Sequence, residues 1–157
     1  MNLVSAPLEA SDTSLEEVAL RADRQIVAKR LWRGKADDGT EFGFELEAPL
    51  RNGQAIAQTP NKRYVIRQNP EPVLEIPLDV PAEATAVIGW AIGNLHFAID
   101  AQPSRILAPD DAGLRQTLDR LGVRYRAVCE VFEPHRLSAS LAGHGISTAK
   151  PPTIIRV

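Results

Sequence analysis

The stretch VLEIPLDVPAEATAVIGWAIGNLHFAID (Val73–Asp100), continued by RILAPDDAGLRQTLDRLGVRYRAVCEVF (Arg105–Phe132), decides the fold. Val73–Leu78 reads as extended chain. Asp79 and Pro81 open a helix running to Ile92, because the fixed φ of proline suits a first helical turn, and Gly93-Asn94 mark its stop. His96–Asp100 and Arg105–Ala108 read as short strands around a turn at Pro103. Asp110–Gly122 reads as a helix with both ends marked. Asp110 or Asp111 caps the first turn, Leu114, Leu118 and Leu121 recur at i, i+4 and i+7 as a buried stripe, and Gly122 supplies the left-handed stop. Arg124–Phe132 closes the set as a strand in which Tyr125, Ala127, Cys129 and Val131 alternate. This βαββαβ order predicts a ferredoxin-like domain, a four-stranded antiparallel sheet with two helices on one face.

Upstream the pattern is strand after strand. QIVAKRLW and TEFGFELE flank Ala36-Asp37-Asp38-Gly39, and Asp-Gly is a hairpin-turn dipeptide because both central positions tolerate positive φ. Phe42, Phe44 and Leu46 alternate with Glu41, Gly43, Glu45 and Glu47, which sets the apolar side chains on one face of a half-buried strand. Asn52-Gly53 and Pro60-Asn61 bound the arms of a second hairpin. Asn69-Pro-Glu-Pro72 stiffens the backbone through its two prolines and is read as a boundary. The fold class is thus α+β: a small all-β domain over residues 23–70, then the ferredoxin-like domain over 71–134. Residues 1–22 form an acidic N-terminal extension, where Thr13 with Glu16 or Ser14 with Glu17 offers a capping box. That extension is expected as a short helix or a disordered arm, and the Gly-, Ser-, Ala- and Pro-rich residues 135–157 as a flexible tail.

Composition excludes several classes of function. Apolar residues make up 44% of the 157, and 18 basic against 20 acidic side chains leave a net charge of −2, so no nucleic-acid footprint is present. The longest apolar run, Ala84–Gly93, is broken by Thr85 and Gly89 and is far shorter than the ~20 residues that span a bilayer. The opening MNLVSAPLEA has no basic segment ahead of an apolar one, and Cys129 is the single cysteine. A cytoplasmic protein without disulfides is expected. No G-x-S-x-G, no phosphate-binding glycine loop and no stacking platform of aromatic residues is found, so an enzyme is not expected.

The residues with coordinating chemistry are few. His96 lies between a helix stop and a strand and is expected as a structural group; His135 and His144 read as solvated histidines of the tail, nine residues apart and without the cysteines of a zinc motif. Cys129 belongs to the apolar alternation of the last strand and is expected as a buried, inert thiol. Asp110 and Asp111 offer oxygen ligands to a hard cation, although capping accounts for at least one of them.

Taken in order, ADDGTEFGFEL, LRNGQAI, YVIRQNPEPVLEI, AIGNLHFAID, the D-x-x-L-x-x-x-L-x-x-LG helix and FEP (Phe132–Pro134) give the chain a resemblance to the urease accessory protein UreE family. The similarity covers residues 24–135, and its most specific piece is Ile92–His96, where the family carries G-N-x-H. The resemblance implies a homodimeric nickel metallochaperone with an N-terminal domain like peptide-binding chaperones and a C-terminal ferredoxin-like domain for metal binding and dimerisation. It implies that Ni²⁺ is bound transiently and handed to apo-urease in company with the accessory GTPase, with no catalysed reaction. Neutral imidazoles shared between subunits suit a site that must also release its ion.

One departure bears on that expectation. The family's D-H-x-L supplies a central histidine, and here the segment is Asp111-Ala112-Gly113-Leu114, so the ligand position holds a methyl group. Two accounts follow. In one, His144 and His135 from both subunits hold the metal, with Asp110 or Asp111 as oxygen ligands. In the other, the site is depleted, no metal is carried, and the protein is an adaptor that docks in the urease maturation complex.

Overall fold

The computed structural model describes residues 1–135. Its first half contains β1 (Asn2–Val4), β2 (Glu16–Ala22), α1 (Arg24–Val27), β3 (Leu31–Lys35), β4 (Glu41–Glu45), β5 (Ala55–Gln58) and β6 (Lys62–Gln68). These strands form two three-stranded sheets, ordered β1-β4-β3 and β2-β6-β5. Residues 1–22 are neither helix nor disordered arm. β2 lies parallel to β6 from Glu16↔Lys62 to Ala22↔Gln68, and β1 lies parallel to β4. The physical reason is twofold. Asp12 Oδ1 accepts from both the backbone N–H (2.9 Å) and the hydroxyl (2.6 Å) of Ser14, a turn that competes with helix capping. Beyond it Val18, Leu20 and Ala22 are buried with a period of two, which suits a strand.

The first hairpin forms as expected, with two differences. Residues 24–27 make one helical turn, and the strand starts only at Leu31. The turn has a single positive φ, at Gly39 (+89°), where the Gly39 N–H donates to the Ala36 carbonyl and the Ala36 N–H to the Thr40 carbonyl. Phe42, Phe44 and Leu46 are buried, and Trp32 stacks on Phe44 with ring centroids 3.9 Å apart. Together with Val18, Leu20, Leu50, Tyr64 and Ile66 they form the core of this half.

The second half contains β7 (Glu71–Pro77), α2 (Ala82–Asn94), β8 (Asp100–Gln102), β9 (Arg105–Pro109), α3 (Ala112–Arg120) and β10 (Arg126–Glu130). Its sheet is ordered β10-β7-β9-β8 with every pair antiparallel, the ferredoxin-like arrangement. Leu74, Ile76, Ile106 and Ala108 meet Ile88 and Ile92 of α2 and Leu114 and Leu118 of α3 on one face; Val73 and Leu107 meet Phe132 on the other.

Several local expectations are corrected. α2 runs through Gly93 to Asn94, and the left-handed residue that ends it is His96 (φ +60°). β8 begins at Asp100, because its pairing with β9 starts there, at Asp100↔Leu107. Leu121 is 47% exposed, since α3 ends at Arg120 and the chain turns away from the sheet there. Cys129 is exposed: β10 is an edge strand paired only with β7, and neither helix covers it.

Candidate metal site

The first turn of α3 explains both aspartates. Asp111 is the N-cap, its Oδ1 accepting from the N–H of Gly113 (2.7 Å) and Leu114 (3.1 Å), which satisfies two donors that a helix start leaves unpaired. Asp110 accepts two hydrogen bonds from Arg115, at 2.6 and 2.7 Å, and this guanidinium holds its carboxyl below the usual aspartate range. Ala112, the first helical residue, is exposed. The carboxylates expected as oxygen ligands are engaged by the protein itself.

The histidines are placed differently from one another. His96 is exposed and is the one non-glycine residue with positive φ among the described residues, a conformation that costs a side chain about 1–2 kcal/mol. Its backbone N–H donates to the Gly93 carbonyl at 2.9 Å, which places the residue just past the last turn of α2. The negative end of a helix dipole favours cations. The sequence reads His96 as a structural group, and the structure adds that it is exposed and has a positive φ. His135 is half-buried; its backbone N–H donates to the Ile99 carbonyl, and ring Nε2 lies 2.9 Å from the Ala101 carbonyl, a contact that orients the imidazole. His144 lies outside the described residues. Among the described residues no group of three or more His, Cys, Asp or Glu is arranged to hold a metal.

The surface around α2 is apolar. Trp90 is 67% exposed and Val87 51%, one turn apart on the same side of the helix. Val87 also borders an open crevice of about 460 Å³ with Val80, Leu121 and Val123, and an Asp79–Arg124 ion pair of 2.6 Å stands at its rim. No helix among the described residues is long and apolar enough to cross a membrane.

A family model describing the C-terminal domain of the UreE urease accessory protein matches residues 71–150. The chain is similar to the urease accessory protein UreE of Deinococcus radiodurans, 35% identical over 123 residues that cover 76% of this chain and 77% of that one. The protein of the same name from Rhodobacter capsulatus is 30% identical over 121 residues, 76% of this chain and 73% of that one. That from Bifidobacterium longum subsp. infantis is 29% identical over 117 residues, which cover 74% of this chain and 52%, about half, of the longer relative.

Proposed function

We propose, from the premise that the chain belongs to the UreE family of urease accessory proteins, that it carries Ni²⁺ as cargo and delivers it to apo-urease during metallocentre assembly. The family's members are accessory proteins and not enzymes. In this reading residues 71–134 bind metal and pair two copies of the chain, residues 23–70 engage the maturation partners, including the accessory GTPase, and the work is done in the cytoplasm. The observation that carries the reading is His96: an exposed imidazole held in a left-handed conformation at the negative end of α2.

Two copies pairing through the apolar side of α2, where Val87 and Trp90 stand exposed, would bring two such imidazoles together. His135, and His144 beyond the described residues, add further nitrogen donors. Imidazole suits Ni²⁺, and a small donor set of neutral ligands favours release as well as capture. For Nε2 of His135 to serve, its contact with the Ala101 carbonyl must open.

Titration calorimetry of the purified chain with Ni²⁺ tests this. About one metal per two chains is expected, lost in His96→Ala and weakened in the combined His135→Ala and His144→Ala variant. No heat above background overturns the cargo role. The second reading, an adaptor in the maturation complex that carries no metal, is favoured by Ala112, which puts a methyl group where the resemblance expects a ligand. Co-purification with urease subunits or the accessory GTPase in the presence of chelator supports it, and dependence of every such complex on nickel rules it out.

A further inference from the structure

No strand of the first half pairs with a strand of the second among the described residues. Two packed units joined that way ordinarily move against each other unless specific contacts hold them. Here the contacts converge on one short segment. After β10 the chain turns across the helix-free face of the sheet, and the Phe132 ring is fully buried against Val73 and Leu107. Gln68, the last residue of β6 and the one buried polar side chain among the described residues, donates from Nε2 to the Phe132 carbonyl at 2.7 Å. The Gln68 N–H in turn donates to Asn52 Oδ1 (3.0 Å), and Asn52 Nδ2 donates to Glu133 (2.8 Å). Arg24 of α1 holds its guanidinium over the ring, 5.0 Å from the Phe132 centroid, while donating twice to Glu71 of β7, at 2.7 and 3.1 Å. Three residues after Phe132, His135 is fastened to Ile99 and Ala101 beside β8. β8 is three strand spacings from β10, roughly 14 Å, about what the extended residues 131–135 span.

We propose that Phe132–His135 form a latch: a strap across the sheet that is gripped by Arg24, Gln68 and Asn52 of the first half and so fixes the two halves in one relative arrangement. The grip is polar and directional. A buried amide satisfied by a backbone carbonyl fixes an orientation that apolar contact alone would leave free to slide. Because the strap ends at β8, it also holds the chain's exit next to the loop that carries His96. This role is independent of whether metal is bound.

The test uses the full chain with spin labels on native Cys129 and on Arg33→Cys, both exposed and one in each half. The unaltered latch gives a single narrow distance distribution. In Arg24→Ala combined with Asn52→Ala, and separately in Phe132→Leu, which keeps an apolar plug but removes the ring under Arg24, the distribution broadens and shifts. Hydrogen exchange in β6 and in β7 meanwhile stays at its original protection. An unchanged distribution in both variants overturns the proposal. So does a joint loss of protection in β6 and β7, since that marks the seam as part of one cooperative core.

Discussion

Arg115 grips both carboxylate oxygens of Asp110, at 2.6 and 2.7 Å, so the residue that sequence offers as an oxygen ligand is already neutralised by its own helix. Its neighbour Asp111 is spent as the cap. Asp110→Ala therefore leaves Ni²⁺ affinity unchanged and costs at most about 1 kcal/mol, since the pair is partly exposed. Asp111→Ala destabilises by about 1 kcal/mol through lost capping. Denaturant melts and metal titrations of the two variants check both outcomes; a large drop in affinity for Asp110→Ala would restore it as a ligand.

Ala112 is exposed at the first position of α3, where a longer side chain meets no packed neighbour of the core. Ala112→His should fold as stably as the parent and, where two copies meet near this turn, bind Ni²⁺ about tenfold more tightly, about 1.4 kcal/mol. Equal affinity would place residue 112 away from its counterpart.

Asp38 in the first hairpin turn is the clearest acid-sensitive group. The Thr40 N–H, with smaller contributions from its hydroxyl, Tyr64 and Lys62, pulls its carboxyl down to about 2. A depressed carboxyl stabilises the fold above its ordinary value near 4, and that contribution is lost as pH falls through about 2. Asp38→Asn should thus be less stable than the parent at pH 7, with the gap closing below pH 3. Urea midpoints at both pH values measure it.

Gly34 faces the ring of Trp32: an added Cβ would lie 2.8 Å from Trp32 Cζ3 and 3.0 Å from Leu20 Cδ2. Trp32 is pinned by its stack on Phe44, so it cannot yield without breaking that contact. Gly34→Ala should cost about 1–3 kcal/mol by overpacking and shift the near-ultraviolet dichroism of the tryptophan. A neutral melt would mean that the stack slides freely.

What was legible in the sequence was whatever a local period carries. The alternation of Phe42, Phe44 and Leu46, the turn at Gly39, the spacing of Leu114 and Leu118 and the order of elements after Glu71 all depend on neighbours a few residues away, and all are present. Residues 16–22 carried the same kind of signal in Val18, Leu20 and Ala22, but their partner strand lies far downstream, and Ser14 and Glu17 suggested a helix start nearer by. Exposure of Cys129 and Leu121 follows from which strand takes the sheet edge and where a helix stops, which alternation does not encode. The backbone of His96 was not legible for a different reason: its conformation is unusual for a residue with a side chain, and nothing in the composition around it announces that. Of the two histidines that the sequence offers as ligands, His135 lies among the described residues and His144 outside them, so the site was legible chiefly through family likeness.

The parallel seating of β2 on β6 has a temporal side. β2 is translated before its partner and finishes its sheet only after Gln68 has cleared the ribosome, so its apolar residues wait exposed while the residues between the two strands are synthesised. Such long-range closure slows folding and leaves an unpaired edge open to other chains. A nascent polypeptide arrested before residue 62 should be the form most in need of a holding factor.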